Sequence, residues 1–339
     1  MRRKQLNDYI ASQTGADGPG IALVVLAGRT VVYSATFGLA DVRNRRPIKN
    51  DTIFHLASCG KQFTGLGILM LAEEGKLDLD DPVGKHLPLM AGFGSGVTIR
   101  RLLHHTSGIC DLYNEDGVEH ILARSARPAN ADLIRTYAHL GCPMAGQEIE
   151  PGDIFSYSNS GYEMLGAVIE EVSGQFYHDF FAVRVFDRLK MKNTFSVPDR
   201  RIHGPHCARG YTLDERGNLL EAGASGLDGL VGSGSFYTNL SDLCLYDQAL
   251  RSNVLISERS KEKAFTSGQT NDGNPTSYGY GWHLGVKDGL SFADHEGAWN
   301  GFQSYICHCI DRPLSIFVLS NHPEINLFEV ADAAMDACL

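Results

Sequence analysis

The two ends of this chain read as strands and its middle reads as helices. After Pro275, the segments Tyr278 to Val286, Ser291 to Glu296, Phe302 to Cys309 and Leu314 to Ser320 are short, apolar-rich and separated by turn residues. Near the start, Ile21 to Val25 and Val31 to Thr36 have the same texture, with Ala27-Gly28-Arg29 as the turn between them. Between these ends, Thr98 to His104, Asn130 to Leu140, Gly161 to Val172 and Phe176 to Leu189 carry helical periodicity, and Ser241-Asp242 reads as the cap of a helix over Leu243 to Leu250. Short helices are expected over Lys4 to Ser12 and Glu324 to Cys338. The economical layout pairs both ends in one sheet. The expected fold class is α/β of the α+β kind: an antiparallel sheet from about 1–57 plus 276–339, flanked by the N- and C-terminal helices, with a mainly helical lobe of about 58–275 inserted. The whole chain, 1–339, is then one domain with a cleft between sheet and lobe.

A chain of 339 residues can bury a large core without disulfide or metal staples. The formal net charge of -10 argues against nucleic acid or an anionic membrane as partner. No run of 18 apolar residues occurs, so no membrane span is expected. Met1-Arg2-Arg3-Lys4 is not followed by an apolar segment, and a cytoplasmic location is the expectation. The eight cysteines are scattered with no Cys-x-x-Cys, which reads as reduced, mostly buried thiols. In Cys307-His308-Cys309 a strand would send the two thiols to one face and the imidazole to the other, a poor arrangement for one metal ion. No cofactor and no metal are expected, and the oligomeric state is left open.

Ser58-Cys59-Gly60-Lys61 opens an apolar-periodic segment containing Phe63, Leu66, Leu69 and Met70, closed by Gly75. With Ser58 at the first turn of that helix, Lys61 lies three positions on, on the same face. A serine hydroxyl is a weak nucleophile until a base takes its proton. A lysine becomes that base when burial or nearby positive potential lowers its pKa. By itself the tetrapeptide fits a capping serine with a surface lysine better.

Tyr157-Ser158-Asn159 precedes a predicted helix. A phenol near a lysine can shuttle a proton, and an amide can both donate to and accept from a substrate amide. The same residues also fit a core tyrosine and a helix-capping asparagine. His295-Glu296-Gly297-Ala298 ends a predicted strand, where a basic side chain could face the serine and a glycine would let a ligand approach.

In order and separation, Ser-x-x-Lys, Tyr-x-Asn and Lys/His-x-Gly resemble the penicillin-recognising serine hydrolases. These include class C β-lactamases, serine D-alanyl-D-alanine carboxypeptidases, D-aminopeptidases and β-lactamase-like esterases. Leu102 to Ile109, Tyr157 to Gly166, Tyr278 to Trp282 and Trp299-x-Gly301-Phe302 are also similar to stretches of that family. The resemblance implies Ser58 as acylated nucleophile, Lys61 as its partner and Tyr157 as general base and proton shuttle. It implies Asn159, His295, Glu296 and Gly297 as substrate contacts, and the backbone amides of Ser58 and Ala298 as the oxyanion hole. Whether Lys61 or Tyr157 takes the first proton is open at this level.

Two departures bear on specificity. His295 stands where lysine is frequent, so a positive charge there depends on pH, with an ordinary imidazole titrating near 6.5. Glu296 stands where threonine is frequent, and a carboxylate facing the site would repel a substrate carboxylate. The expected substrate is a small ester or amide, of D-amino-acid or secondary-metabolite type. The alternatives are an acyltransferase or transpeptidase on the same acyl-enzyme, a carboxypeptidase or β-lactamase, and a catalytically silent binding or sensor protein.

Overall fold

The computed structural model describes residues 3–113, 115–125, 127–141 and 149–338. Cys142 lies outside the described residues. The chain starts with helix α1 (Arg3–Thr14) and the hairpin β1 (Ile21–Ala27) and β2 (Thr30–Phe37). Gly28 takes φ +60° in the turn between them, a conformation that costs glycine nothing. Four more strands close the chain: β3 (His283–Lys287), β4 (Leu290–Trp299), β5 (Phe302–Cys309) and β6 (Leu314–Ser320). The six form one sheet in the order β3-β4-β5-β6-β1-β2, antiparallel throughout. The two chain ends meet where β1 pairs with β6, Ile21 opposite Ser320 and Ala27 opposite Leu314.

Both faces of this sheet are covered, which is why β1 reads as a continuous apolar run rather than an alternating one. Ile21, Leu23 and Val25 pack with Ile316 and Val318 against Leu6 and Ile10 of α1 and against Val330, Ala334 and Met335 of the last helix (Leu327–Cys338). Ala22, Val24 and Leu26 point the other way, into the larger core shared with the helical residues. The sheet from both chain ends, its flanking terminal helices and the helical insertion agree with the expected fold class. Cys307 and Cys309 face the terminal helices, while His308 faces the opposite side and meets Asp247 at 2.9 Å.

Two helices of the insertion position the site: α2 (Lys61–Glu73) and α3 (Asn159–Ser173). They pack against each other. Asn130–Leu140 is helical as expected. Three local expectations are corrected. The helix expected from Leu243 runs over Leu240–Leu250 and is capped by Asn239, whose side chain accepts from Asp242 N–H; Asp242 instead accepts from Asn193 N–H and the Thr194 hydroxyl. Several adjacent residues here can cap, and the direction of chain entry selects one. The expected strand from Tyr278 is strand only from His283, because Tyr278 to Trp282 folds as a buried irregular segment against α2. There a Cβ on Gly281, whose φ is +85°, would stand 2.6 Å from the Lys61 backbone. The last helix starts at Leu327 rather than Glu324.

Candidate active site

Ser58 lies in a 3-10 turn (Ala57–Gly60) that leads directly into α2, so it precedes the helix rather than belonging to its first α-turn. Its neighbours Ala57, Cys59 and Gly60 are buried, and the serine itself is half-buried. Ala57 sits at φ +46°, a region that L side chains avoid. Strain of this kind persists where the surroundings over-determine the backbone, and it collects at functional sites. The turn is pinned by β4 from the side. A Cβ on Gly297 would lie 2.5 Å from the Leu56 carbonyl oxygen and 2.9 Å from Ser58 N, so only glycine allows this approach.

Lys61 is completely buried. Its Nζ lies 3.1 Å from Ser58 Oγ, 2.7 Å from Asn159 Oδ1 and 2.9 Å from the Ser233 carbonyl oxygen. Burial pushes the Lys61 ammonium down to about 7, against the opposing pull of Asp111, Glu163 and Cys59. The first residue of α3 is Asn159. Ser158, not Asn159, caps the helix by accepting from Gly161 N–H. That frees the Asn159 amide. Its Nδ2 donates to Asp111 Oδ2 at 3.2 Å, which turns Oδ1 toward Lys61. Tyr157 presents its ring to Lys61, with Nζ 4.8 Å from the ring centroid. Burial holds the Tyr157 phenol above its ordinary range, although hydrogen bonding with Ser58 opposes this.

His295 is buried and shares a 540 Å³ cavity with Ser58, Tyr157, Glu296 and Gly297. Burial first, then the charge of Lys61, pushes the imidazole well below its ordinary value. The expected pH-dependent charge near 6.5 is therefore corrected: His295 is neutral across the physiological range. Along β4, Glu296 and Ala298 face away from His295 and Gly297 and are exposed, yet Glu296 still lines this cavity, beside Phe155, Tyr305 and Phe328. A second cavity, of 210 Å³, opens on the other side of Ser58 between Asn159, Tyr113, Tyr237, Trp299 and Ala298. Asp228 ties its rim by accepting from Trp299 Nε1 and Asn300 Nδ2, both at 2.8 Å. Among the described residues, no lysine or arginine lines either cavity.

Lys61, Tyr157, Asn159, His295, Glu296, Gly297 and Ala298 meet around Ser58. Several neighbours were not singled out: Asp111, Tyr113, Glu163, Ser233 and Tyr278. Glu163 and Tyr278 fall in stretches already matched to the family pattern, and Ser233 in the glycine-rich loop at 229–234. Nothing in the sequence pointed to Asp111 or Tyr113. Among the described residues, no group of three or more His, Cys, Asp and Glu side chains could hold a metal ion, and no helix is long and apolar enough to cross a membrane.

A Bacillus subtilis (strain 168) protein named as a penicillin-binding protein is 35% identical over 324 residues, spanning 90% of this chain and 68% of that protein. Protein flp of Staphylococcus aureus (strain MW2) is 30% identical over 89% of this chain, but the chain spans only 59% of its length. The octameric penicillin-binding protein homologue from Pyrococcus abyssi superposes with a TM-score of 0.85 at 28% identity, covering 99% of this chain and 77% of the other. A penicillin binding protein from Bacillus halodurans gives 0.78 at 26% identity, covering 94% and 95%. The family model described as Beta-lactamase matches residues 6–337. The chain belongs to the β-lactamase family of serine hydrolases and penicillin-binding proteins.

Proposed function

We propose that this chain is a serine hydrolase that forms an acyl-enzyme on Ser58 and cleaves a small ester or amide. The observation that carries the reading is the set of partners around Lys61 Nζ. Two of them, Asn159 Oδ1 and the Ser233 carbonyl, can only accept hydrogen bonds. A neutral amine has two N–H groups for those two oxygens, and its lone pair is left for the Ser58 hydroxyl at 3.1 Å. The lowering of Lys61 to about 7 makes that neutral form accessible near pH 7.

In this mechanism Ser58 Oγ attacks the substrate carbonyl carbon as its proton passes to Lys61. The oxyanion is taken by the backbone amides of Ser58 and Ala298, which strengthen their hold as charge develops. Tyr157, kept as a phenol by burial, donates its proton to the leaving oxygen or nitrogen and recovers one from the Lys61 ammonium. The C–O or C–N bond breaks and the acyl group stays on Ser58. Water then attacks the acyl carbon as its proton passes through Lys61 to Ser58 Oγ, the bond between Oγ and the acyl group breaks, and the acid is released. Asn159 orients the acyl side, and the 210 Å³ cavity beside it suits a compact group. His295, Glu296 and Gly297 border the leaving-group side.

The neutral His295 and the exposed Glu296 favour neutral or amine-bearing substrates over carboxylate-bearing ones, of D-amino-acid or secondary-metabolite type. A panel of p-nitrophenyl esters, D-amino-acid amides and nitrocefin tests this, with Ser58→Ala as control. Turnover of esters and amides with slow nitrocefin cleavage is expected. Turnover that survives in Ser58→Ala removes the reading. Because the relatives are named for penicillin binding, slow covalent capture of a penicillin on Ser58 is also expected. An acyl acceptor added to the ester assay separates hydrolysis from acyl transfer.

A further inference from the structure

One turn beyond Asn159 on α3, Glu163 lies on the same helix face and is completely buried. It touches neither cavity, and the acylation scheme does not use it. Its Oε1 accepts from the Tyr113 hydroxyl and, at 2.9 Å, from Ser233 Oγ. Its Oε2 is buried with no hydrogen-bond partner among the described residues. A carboxylate oxygen left in that state is costly, and a neutral carboxyl relieves part of the cost. Ser233 holds both acids and bases of the site: its hydroxyl meets Glu163 while its carbonyl accepts from Lys61 at 2.9 Å.

We propose that Glu163 is a positioning residue for acylation: across Ser233, its charge sets the pH at which Lys61 becomes a neutral amine beside Ser58. This rests on the acyl-enzyme reading above, and Glu163 itself meets no substrate. The groups facing the pair leave few alternatives. His105 and His295 are pushed well below their ordinary values, Tyr113, Tyr157 and Tyr162 are held above theirs, and the Cys59 thiol is pushed up to about 12, so all are neutral near pH 7. Asp111 and Glu163 remain as the carboxyls acting on Lys61, both favouring the ammonium when ionised. Burial pushes Glu163 up to about 7, into the range where Lys61 titrates, and each group's charge opposes the other's shift. The two therefore titrate as a coupled pair, and an ionised Glu163 holds Lys61 as the ammonium to higher pH. Only the amine form of Lys61 is a base beside Ser58.

The test is the pH profile of kcat/KM for a neutral ester in Glu163→Gln. Removing the carboxylate removes a force that favours the ammonium, so the acid limb moves to lower pH. The ratio of the pH 6 rate to the pH 8 rate should rise about threefold or more over wild type, the equivalent of half a pKa unit. An acid limb that coincides with wild type overturns the proposal, whatever happens to kcat or thermal stability, because a purely structural role lowers activity at all pH values alike. If Glu163→Gln does not fold, Ser233→Ala serves: it removes the hydroxyl that favours the Glu163 carboxylate and keeps the carbonyl to Lys61. It too should move the acid limb down, and an unmoved limb again overturns the proposal. The two readings fail separately. Turnover in Ser58→Ala sinks the acyl-enzyme itself, whereas Ser58-dependent turnover with an unmoved limb sinks only the role of Glu163.

Discussion

Tyr278 donates its hydroxyl proton to Nε2 of His295 across 2.9 Å, and the backbone fixes the direction of that bond. The other ring nitrogen, Nδ1, lies 2.5 Å from the Glu296 carbonyl oxygen, which can only accept. Nδ1 therefore carries the ring proton and Nε2 is an acceptor. Both nitrogens are occupied and the ring is neutral. At the position where the family pattern frequently has a lysine, this chain offers a substrate no positive charge.

Substrates with a carboxylate next to the scissile bond should accordingly be poor. Glu296 adds to this. At about 4 Å and an effective dielectric near 20, two like charges repel by about 4 kcal/mol before solvent screening. A quarter of that is about a fivefold loss of affinity. Glu296→Thr should raise kcat/KM for a carboxylate-bearing ester relative to its methyl ester by about that factor, and His295→Lys should do the same. An unchanged ratio in Glu296→Thr would mean that this side chain does not meet the ligand.

Fluorophosphonate should label Ser58 and no other residue. Intact-mass spectrometry of wild type and Ser58→Ala decides the point, and equal labelling of the two proteins removes the assignment. Lys61→Ala and Tyr157→Phe should each lower turnover by about 100-fold or more, the usual worth of a general acid or base. The double variant should lose far less than the product of the two, because both side chains serve one proton path. Simple multiplication would mean that they serve separate steps.

The acid limb of kcat/KM should fall near pH 7. Lys61 has its titration lowered from 10.5 to about 7, so it is an amine above that pH and an ammonium below it. Activity should drop about tenfold per pH unit on the acid side, since one proton removes the base. A general base at Tyr157 would instead place the limb above pH 10, because burial raises that phenol. A neutral p-nitrophenyl ester assayed from pH 5 to pH 9 separates the two.

Gly297→Ala should damage both stability and acylation. The new methyl group would lie 2.5 Å from the Leu56 carbonyl oxygen, 2.6 Å from Ser304 Oγ and 2.9 Å from Ser58 N. Two of these are backbone atoms that move only with the turn holding the nucleophile. Overpacking of this kind costs about 1–3 kcal/mol. Gly285→Ala on β3 is the control, since nothing lies within 4 Å of its added Cβ. Thermal melting and Ser58 labelling rates should both drop in the first variant and hold in the second.

Some of this protein was determined by its sequence alone. The strands β5 and β6 and the helix Asn130–Leu140 fall where apolar patterning and turn residues put them. The pairing of Ser58 with Lys61 needs only three residues of local chain. Patterning of this sort is readable because it depends on near neighbours and on the repeat of a helix or strand. The chemistry of the site was decided elsewhere. Lys61 owes its lowered titration to complete burial, and its two carbonyl partners stand 98 and 172 positions away. The partner of His295 Nε2 is a phenol that the irregular segment before β3 brings to it. The φ of +46° at Ala57 is imposed by β4 and by the glycine-rich loop, where a Cβ on Gly234 would lie 2.6 Å from the Ala57 backbone. Desolvation and long-range hydrogen bonds are sums over everything packed around a group. No local stretch of sequence carries that sum, so it exists only once the sheet and the helices have closed over Ser58.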